Sequence, residues 1–326
     1  MKSLLSITVT AFVALASLAS SAPVSAQAFP TKTVKVIMPF PTGTGPDTVM
    51  RLVNEKLTKA WGQQVIVDNK PGGNGWIAFE AAKRSPADGY TLLQTDPAVV
   101  LQPHLYKKLP YDPFKDFEPI GPMYSTNYFV VVAADSPWNT VADLIAAAKA
   151  KNGDLTYGSS GIGGQLHMGG EMLQAATGTK MTHIPYKETS QIYTSISSGD
   201  IAWAFGTGST VGPLFRAKKV KFIAIAAPQR NPSYPDVPTI AEAGGPANFE
   251  LRSFIGLLAP TGVPKPIVDK ISADLAKAMA EPDVKERLET VAFRPWSGTP
   301  ADFAKAMQED YKLYGDVVKR VKVSLD

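Results

Sequence analysis

Val34-Lys35-Val36-Ile37-Met38-Pro39-Phe40-Pro41-Thr42-Gly43-Thr44-Gly45-Pro46-Asp47 opens the globular part of the chain. It reads as a buried strand, a loop of proline, glycine and threonine, and the first turn of a helix. From Asp47 to Trp61, Val49, Leu52, Val53 and Leu57 recur at helical spacing on one face. Val65 to Val67 is a second short strand. Lys70-Pro71-Gly72-Gly73-Asn74-Gly75 turns into a second helix, from Trp76 to Lys83. Asp88-Gly89 then leads to the strand Tyr90 to Gln94. Strands alternating with helices predict an α/β domain with a parallel sheet covered on both faces.

The loop Phe40–Asp47 has the chemistry of an anion cradle. Glycines let backbone N–H groups approach a ligand. The following helix aims its positive end and its unpaired N–H groups at the same point. Thr42 and Thr44 add hydroxyl donors, and Pro46 suits the first turn of the helix. Asp47 would repel an anion that touched it, so its expected role is to hold the loop through backbone N–H bonds.

After a connection rich in proline and aromatics, from Leu109 to Pro122, the rhythm restarts. Phe129 to Ala133 reads as a strand, Val141 to Lys151 as a helix, and Thr156 to Gly158 as a strand. The loop Ser159-Ser160-Gly161-Ile162-Gly163-Gly164 follows, and then a helix from Gln165 to Ala176. This repeats the design of the first loop. Lys180–Ile184, Ile201–Phe205 and Lys221–Ala226 read as further strands. Helices follow over Pro266–Ala280, Pro282–Glu289 and Pro300–Val321. Open α/β sheets bind ligands beyond the carboxyl ends of their strands, so two such domains would bring both loops to one cleft. Thr95 and Asp96, Tyr186 and Lys187, and Thr207 to Thr210 also follow predicted strands and fall at that edge. Trp203 and Phe254 read as core. The restart at Phe129 divides the chain into 29–127 plus 254–326 and 128–253.

Other chemistries are poorly supported. There is no cysteine, hence no thiolate metal site and no cysteine nucleophile. His104, His167 and His183 are far apart in sequence and form no zinc motif. No Gly-Lys pair exists for a P-loop, and neither Gly-x-Gly-x-x-Gly nor Gly-x-Ser-x-Gly fits the second loop. The net charge of +4 is spread without a Lys/Arg block, against a nucleic-acid footprint. The start, Met1-Lys2, an apolar run from Leu4 to Leu18 and Ala22-Pro23-Val24-Ser25-Ala26, has the layout of a signal peptide cut after Ala26 or Ala28.

Many ordered segments then carry a resemblance: Val36-Ile37-Met38-Pro39-Phe40, Gly62-Gln63-Gln64-Val65, Asp68-Asn69-Lys70-Pro71-Gly72, Pro86-Ala87-Asp88-Gly89-Tyr90-Thr91-Leu92, Leu109-Pro110-Tyr111-Asp112-Pro113, Asp116-Phe117-Glu118-Pro119-Ile120, Ser159 to His167, His183-Ile184-Pro185-Tyr186-Lys187 and Pro235-Asp236-Val237-Pro238-Thr239. Over nearly all of the mature chain it resembles the Bug-type periplasmic receptors of tripartite tricarboxylate transporters. That resemblance implies a periplasmic-binding-protein-like (Venus flytrap) fold of two α/β domains joined by two crossovers. It implies a carboxylate held at the two loops by backbone amides and waters, and no catalysis, cofactor or metal. With no cysteine to carry a lipid after the signal, the mature protein is expected to be soluble in the periplasm without a lipid anchor and a monomer; the resemblance implies that it serves large and small integral membrane subunits. The residues expected at the ligand are Phe40, Thr42, Gly43, Thr44, Asp47 and Thr95 from one half, and Ser159, Ser160, Gly163, Gly164, His167, Tyr186 and Thr207 from the other. The chain departs from the usual family pattern at Pro41–Asp47 and at Glu188-Thr189-Ser190-Gln191, beside the expected cleft. The alternatives are a ligand-binding adaptor for a membrane sensor and a secreted hydrolase using Ser159 or Ser160 with His167.

Overall fold

Alternating apolar runs and amphipathic helices give this chain two separate sheets, each with its own core. The computed structural model describes residues 29–321 and 324–325; the signal-peptide reading lies outside the described residues. Lys32–Asp326 forms one compact unit.

In chain order the elements are β1 (Val34–Met38), α1 (Gly45–Trp61), β2 (Val65–Asn69), α2 (Trp76–Lys83), β3 (Thr91–Thr95), α3 (Ala98–Leu101), β4 (Phe117–Asn127), β5 (Phe129–Ala133), α4 (Val141–Lys151), β6 (Thr156–Ser159), α5 (Gln165–Thr177), β7 (Thr182–Pro185), α6 (Thr189–Ser198), β8 (Trp203–Gly206), α7 (Gly208–Arg216), β9 (Val220–Ile225), β10 (Arg252–Pro260), α8 (Lys265–Ala280), α9 (Pro282–Thr290), β11 (Arg294–Pro295) and α10 (Pro300–Val321). The first sheet has the order β11-β4-β10-β3-β1-β2 and the second β7-β6-β8-β5-β9. The chain therefore leaves the first sheet between Asn127 and Phe129 and returns to it between Ile225 and Arg252. The C-terminal helices α8 and α10 pack on β4 of the first sheet. Trp203 and Phe254 are both buried.

Two features differ from the sequence reading. The Leu109–Pro122 connection contains the start of an eleven-residue strand, β4. Pro119 and Pro122 sit opposite Leu258 and Gly256, where the pairing with β10 shifts register. On its other side β4 meets only the two-residue β11. Proline is tolerated at bulges and beside an open edge, because no ladder bond is lost there. The sheets are also mixed rather than parallel. β1, β2 and β3 pair in parallel, while β10 runs antiparallel to both β3 and β4, and β5 antiparallel to β8 and β9. The antiparallel strands are those entering or leaving a crossover, which no helix-connected repeat could reveal.

No helix among the described residues is long and apolar enough to cross a membrane.

Candidate binding cleft

Both glycine loops sit where strand geometry puts them, at the carboxyl ends of β1 and β6. In the first loop Asp47 is the organiser. Its side chain is almost wholly buried. One carboxylate oxygen accepts the Gly43 N–H at 2.8 Å and Arg51 Nε at 3.0 Å. The other accepts Asn69 Nδ2 at 2.9 Å. Asn69 Nδ2 also donates to the Phe40 carbonyl, and Thr42 Oγ1 donates to Asn69 Oδ1. Burial alone would raise the Asp47 pKa, but the bonds from Arg51, Gly43 and Asn69 outweigh it and hold the carboxyl below its ordinary value. Gly43 takes φ +82°, the left-handed region open to glycine without strain. Thr44 Oγ1 donates to the Pro41 carbonyl.

The second loop has its own organiser. The Gly163 N–H donates to His167 Nδ1 at 3.1 Å, and the His167 ring stacks on His183 with centroids 4.0 Å apart. Burial pushes both imidazoles down to about 4. Ser159 is buried; its Oγ donates to the Gly161 carbonyl at 2.9 Å and lies 2.6 Å from His183 Nε2. When the hydroxyl proton goes to Gly161, His183 Nε2–H is the donor in the second contact, the reverse of a nucleophile activated by a base; His167 lies outside the pair.

Thr95 is buried, with Oγ1 on the Asp96 carbonyl. Tyr186 is half-buried, packs against the second core and donates its N–H to the Ser159 carbonyl. Thr207 caps α7 by accepting the Thr210 N–H at 3.3 Å. Ser160 has no hydrogen-bond partner for its hydroxyl among the described residues. Phe40 is half-buried, and its carbonyl is the part fixed in the loop.

The helix starts behind the two loops are left open. Neither Thr44 before α1 nor Gly164 before α5 caps its helix with a side chain. The first-turn N–H groups of Gly45 and Asp47, and of Gln165, Leu166 and His167, meet no acceptor among the described residues. Side-chain caps are present on α4, where Thr140 and Asp143 form a full capping box, and on α7, while α2, α3, α6, α8 and α9 also start without one; α1 and α5 each start behind a glycine loop. The two halves touch around these starts. Asn74 Nδ2 donates to the Ile162 carbonyl at 3.4 Å. A Cβ built on Gly45 would lie 2.9 Å from Phe293 and 3.2 Å from Ser209 Cβ. A Cβ on Gly163 would lie 2.8 Å from both Leu105 and Leu325. Asn69, Asn74, His183 and Phe293 were not among the residues expected at the ligand. Each acts through a partner distant along the chain, which no local pattern marks.

The family model for the tripartite tricarboxylate transporter family receptor (TctC) matches residues 49–323. The chain belongs to the TctC receptor family. A relative from Agrobacterium vitis, a UPF0065 protein in the TAR-I ttuE-ttuC' intergenic region, is 33% identical over 315 residues, covering 96% of this chain and 90% of its own. Among solved structures, Rpa4515 of R. palustris with adipate superposes with TM-score 0.83 at 29% identity, over 91% of this chain and 99% of that one. MatC of Rhodopseudomonas palustris with bound malate gives TM-score 0.78 at 30% identity, over 89% and 100%. The fold is thus the two-domain, periplasmic-binding-protein type of the TctC receptors. The family is one of receptors, and further solved neighbours are the periplasmic binding protein BugD and a TctC solute binding protein from Polaromonas, not enzymes.

The paired imidazoles make a pH prediction. Between about pH 7 and pH 5 the unfolded chain protonates His167, whose ordinary pKa is 6.5, while the native imidazole stays neutral. Native stability from this group is therefore complete above 6.5 and is lost as pH falls towards 4. Asp96 and Asp310, pushed up to about 6 by burial, act in the opposite sense over the same window. The wild type should consequently show a shallow profile. Against it, the His167→Gln variant should gain about 2 kcal/mol in relative stability between those pH values, read by urea unfolding. A constant difference would show that His167 takes up its proton over the same pH range in the native and the unfolded chain.

Proposed function

We propose that this protein is a periplasmic receptor that captures a small carboxylate between its two halves and delivers it to a transporter with large and small integral membrane subunits. The observation that carries this reading is the pair of uncapped helix starts, on α1 and α5, each behind a glycine loop and each on a different sheet. A carboxylate would supply the missing caps. Oxygen acceptors at a helix N-terminus meet several N–H donors and the positive end of the dipole together. Asp47 and His167 occupy the Gly43 and Gly163 donors, so the proposed ligand bonds go to the first-turn N–H groups, the Ser160 hydroxyl and bridging water. The adipate and malate held by the two solved relatives support the ligand class.

The same reading makes 29–127 plus 254–326 one closing lobe and 128–253 the other, which agrees with the sheet membership of the strands. Titration calorimetry of the purified protein against malate, adipate, citrate, aromatic acids and amino acids should find at least one micromolar or tighter ligand. At about 100 times its Kd that ligand should add roughly 2.7 kcal/mol to stability. Silence across the whole panel would sink the carboxylate reading.

A further inference from the structure

Asp96 is a partly buried acid without an ion-pair partner among the described residues. It follows β3, a strand flanked by β1 and β10, at the same carboxyl edge as the first glycine loop. It is closed in by protein but still partly reached by solvent, as a group lining a recess is. Its carboxylate accepts the Ala98 N–H at 3.0 Å. No lysine, arginine or histidine among the described residues forms an ion pair with it. Around it stand tyrosines whose hydroxyls are held neutral partly by its charge: Tyr111, Tyr124, Tyr128 and Tyr314. Tyr128 ties this region to the other half, through its hydroxyl bond to Gln165 at the first turn of α5 (2.8 Å). The Tyr124 hydroxyl is fully buried and has no hydrogen-bond partner among the described residues. The acid therefore lies at the carboxyl edge that β3 shares with β1 and the first glycine loop, and no cation among the described residues pairs with it.

Burying an unpaired carboxylate is costly. Desolvation accordingly pushes Asp96 up to about 6. A cation brought in by a ligand would offset that cost only when the cleft is filled.

We propose that Asp96 is the counter-charge for an ammonium group of the ligand, so that the ligand class is an amino-carboxylate: carboxylate at the helix starts, cationic nitrogen at Asp96. This rests on the carboxylate reading of the cleft and narrows it. A merely structural Asp96 would need only the oxygen that accepts the Ala98 N–H. Asparagine keeps that oxygen and loses the charge, so Asp96→Asn separates the two roles.

The experiment is titration calorimetry on wild type and Asp96→Asn with matched pairs: β-alanine against malonate, γ-aminobutyrate against succinate, ε-aminocaproate against adipate, and aspartate against succinate. The wild type should prefer the amino member of at least one pair by roughly 10–100-fold, the range of one charge-assisted bond. In Asp96→Asn that preference should vanish, with the binding of the diacid unchanged or tighter. A wild type that prefers the diacid in every pair, or a preference that survives Asp96→Asn, overturns the assignment but leaves the carboxylate reading standing. Failure of every acid and amino acid to bind overturns both. If Asp96→Asn does not fold, the wild type's discrimination within the pairs decides the question.

Discussion

Replacing Asp47 with alanine should lower the stability of the protein by about 2–4 kcal/mol and its unfolding midpoint by roughly 5–10 °C. The carboxylate is buried and serves three donors at once: the Gly43 N–H, Arg51 Nε and Asn69 Nδ2. Alanine leaves the Gly43 N–H and one Asn69 bond unmade. Arg51 is half-exposed and can return to water, which keeps the loss below that of a fully buried pair. Ligand affinity should fall about tenfold or more as the loop loses its fixed shape. Asp47→Asn gives the cleaner reading, because its sign discriminates. If Asp47 faced a bound carboxylate, removing its charge would tighten binding. If it holds the loop, the amide cannot accept all three donors and binding weakens. Calorimetry on Asp47→Asn with the best carboxylate of the panel reads that sign; tighter binding would place Asp47 at the ligand.

The second large effect belongs to Gly163→Val. Glycine is demanded there twice. Its φ of +73° costs a branched side chain about 1–2 kcal/mol whether or not the halves meet. In addition, a Cβ would press on Leu105 and Leu325 of the opposite half at 2.8 Å. Overpacking of this kind costs about 1–3 kcal/mol. That second penalty exists only while the halves are together, so it acts against the closed, ligand-holding state. Affinity should drop roughly 5–150-fold from this alone. Small-angle scattering should show wild type contracting on addition of saturating ligand and Gly163→Val contracting less. Affinity and scattering identical to wild type would mean that the contact of Gly163 with Leu105 and Leu325 takes no part in closure. The Gly163 N–H is already given to His167, so the effect expected of Gly163→Val comes from the approach of the two halves.

Much of the architecture was legible along the chain. Helix boundaries at Val141–Lys151 and Pro300–Val321 match the reading from periodicity and proline placement residue for residue. The strand Phe129–Ala133 does so as well. These elements are fixed by neighbours a few residues away: an apolar face recurring every turn, a capping Thr140, a proline where the missing N–H costs nothing. The two glycine loops were visible for the same reason. Each is a local sequence event between a strand and a helix, and the direction of the strand alone decides at which edge of the sheet it lies.

Tertiary structure decided whatever depends on partners far along the chain. β4 runs through two prolines because it bulges beside each of them, at Ile120 and Met123, against β10 more than a hundred residues later, and because β11 covers only a short part of its other edge. His167 and His183 lie on separate elements and become one stacked pair only when α5 packs over the β6–β7 edge. Asp47 could be assigned to its loop from charge repulsion alone, but its hold on Asn69 needs β2 beside β1. Asp96 ends a strand like many other polar residues. Its lack of a counter-charge is a property of everything that surrounds it in space, and burial, unlike propensity, is written nowhere in the local sequence.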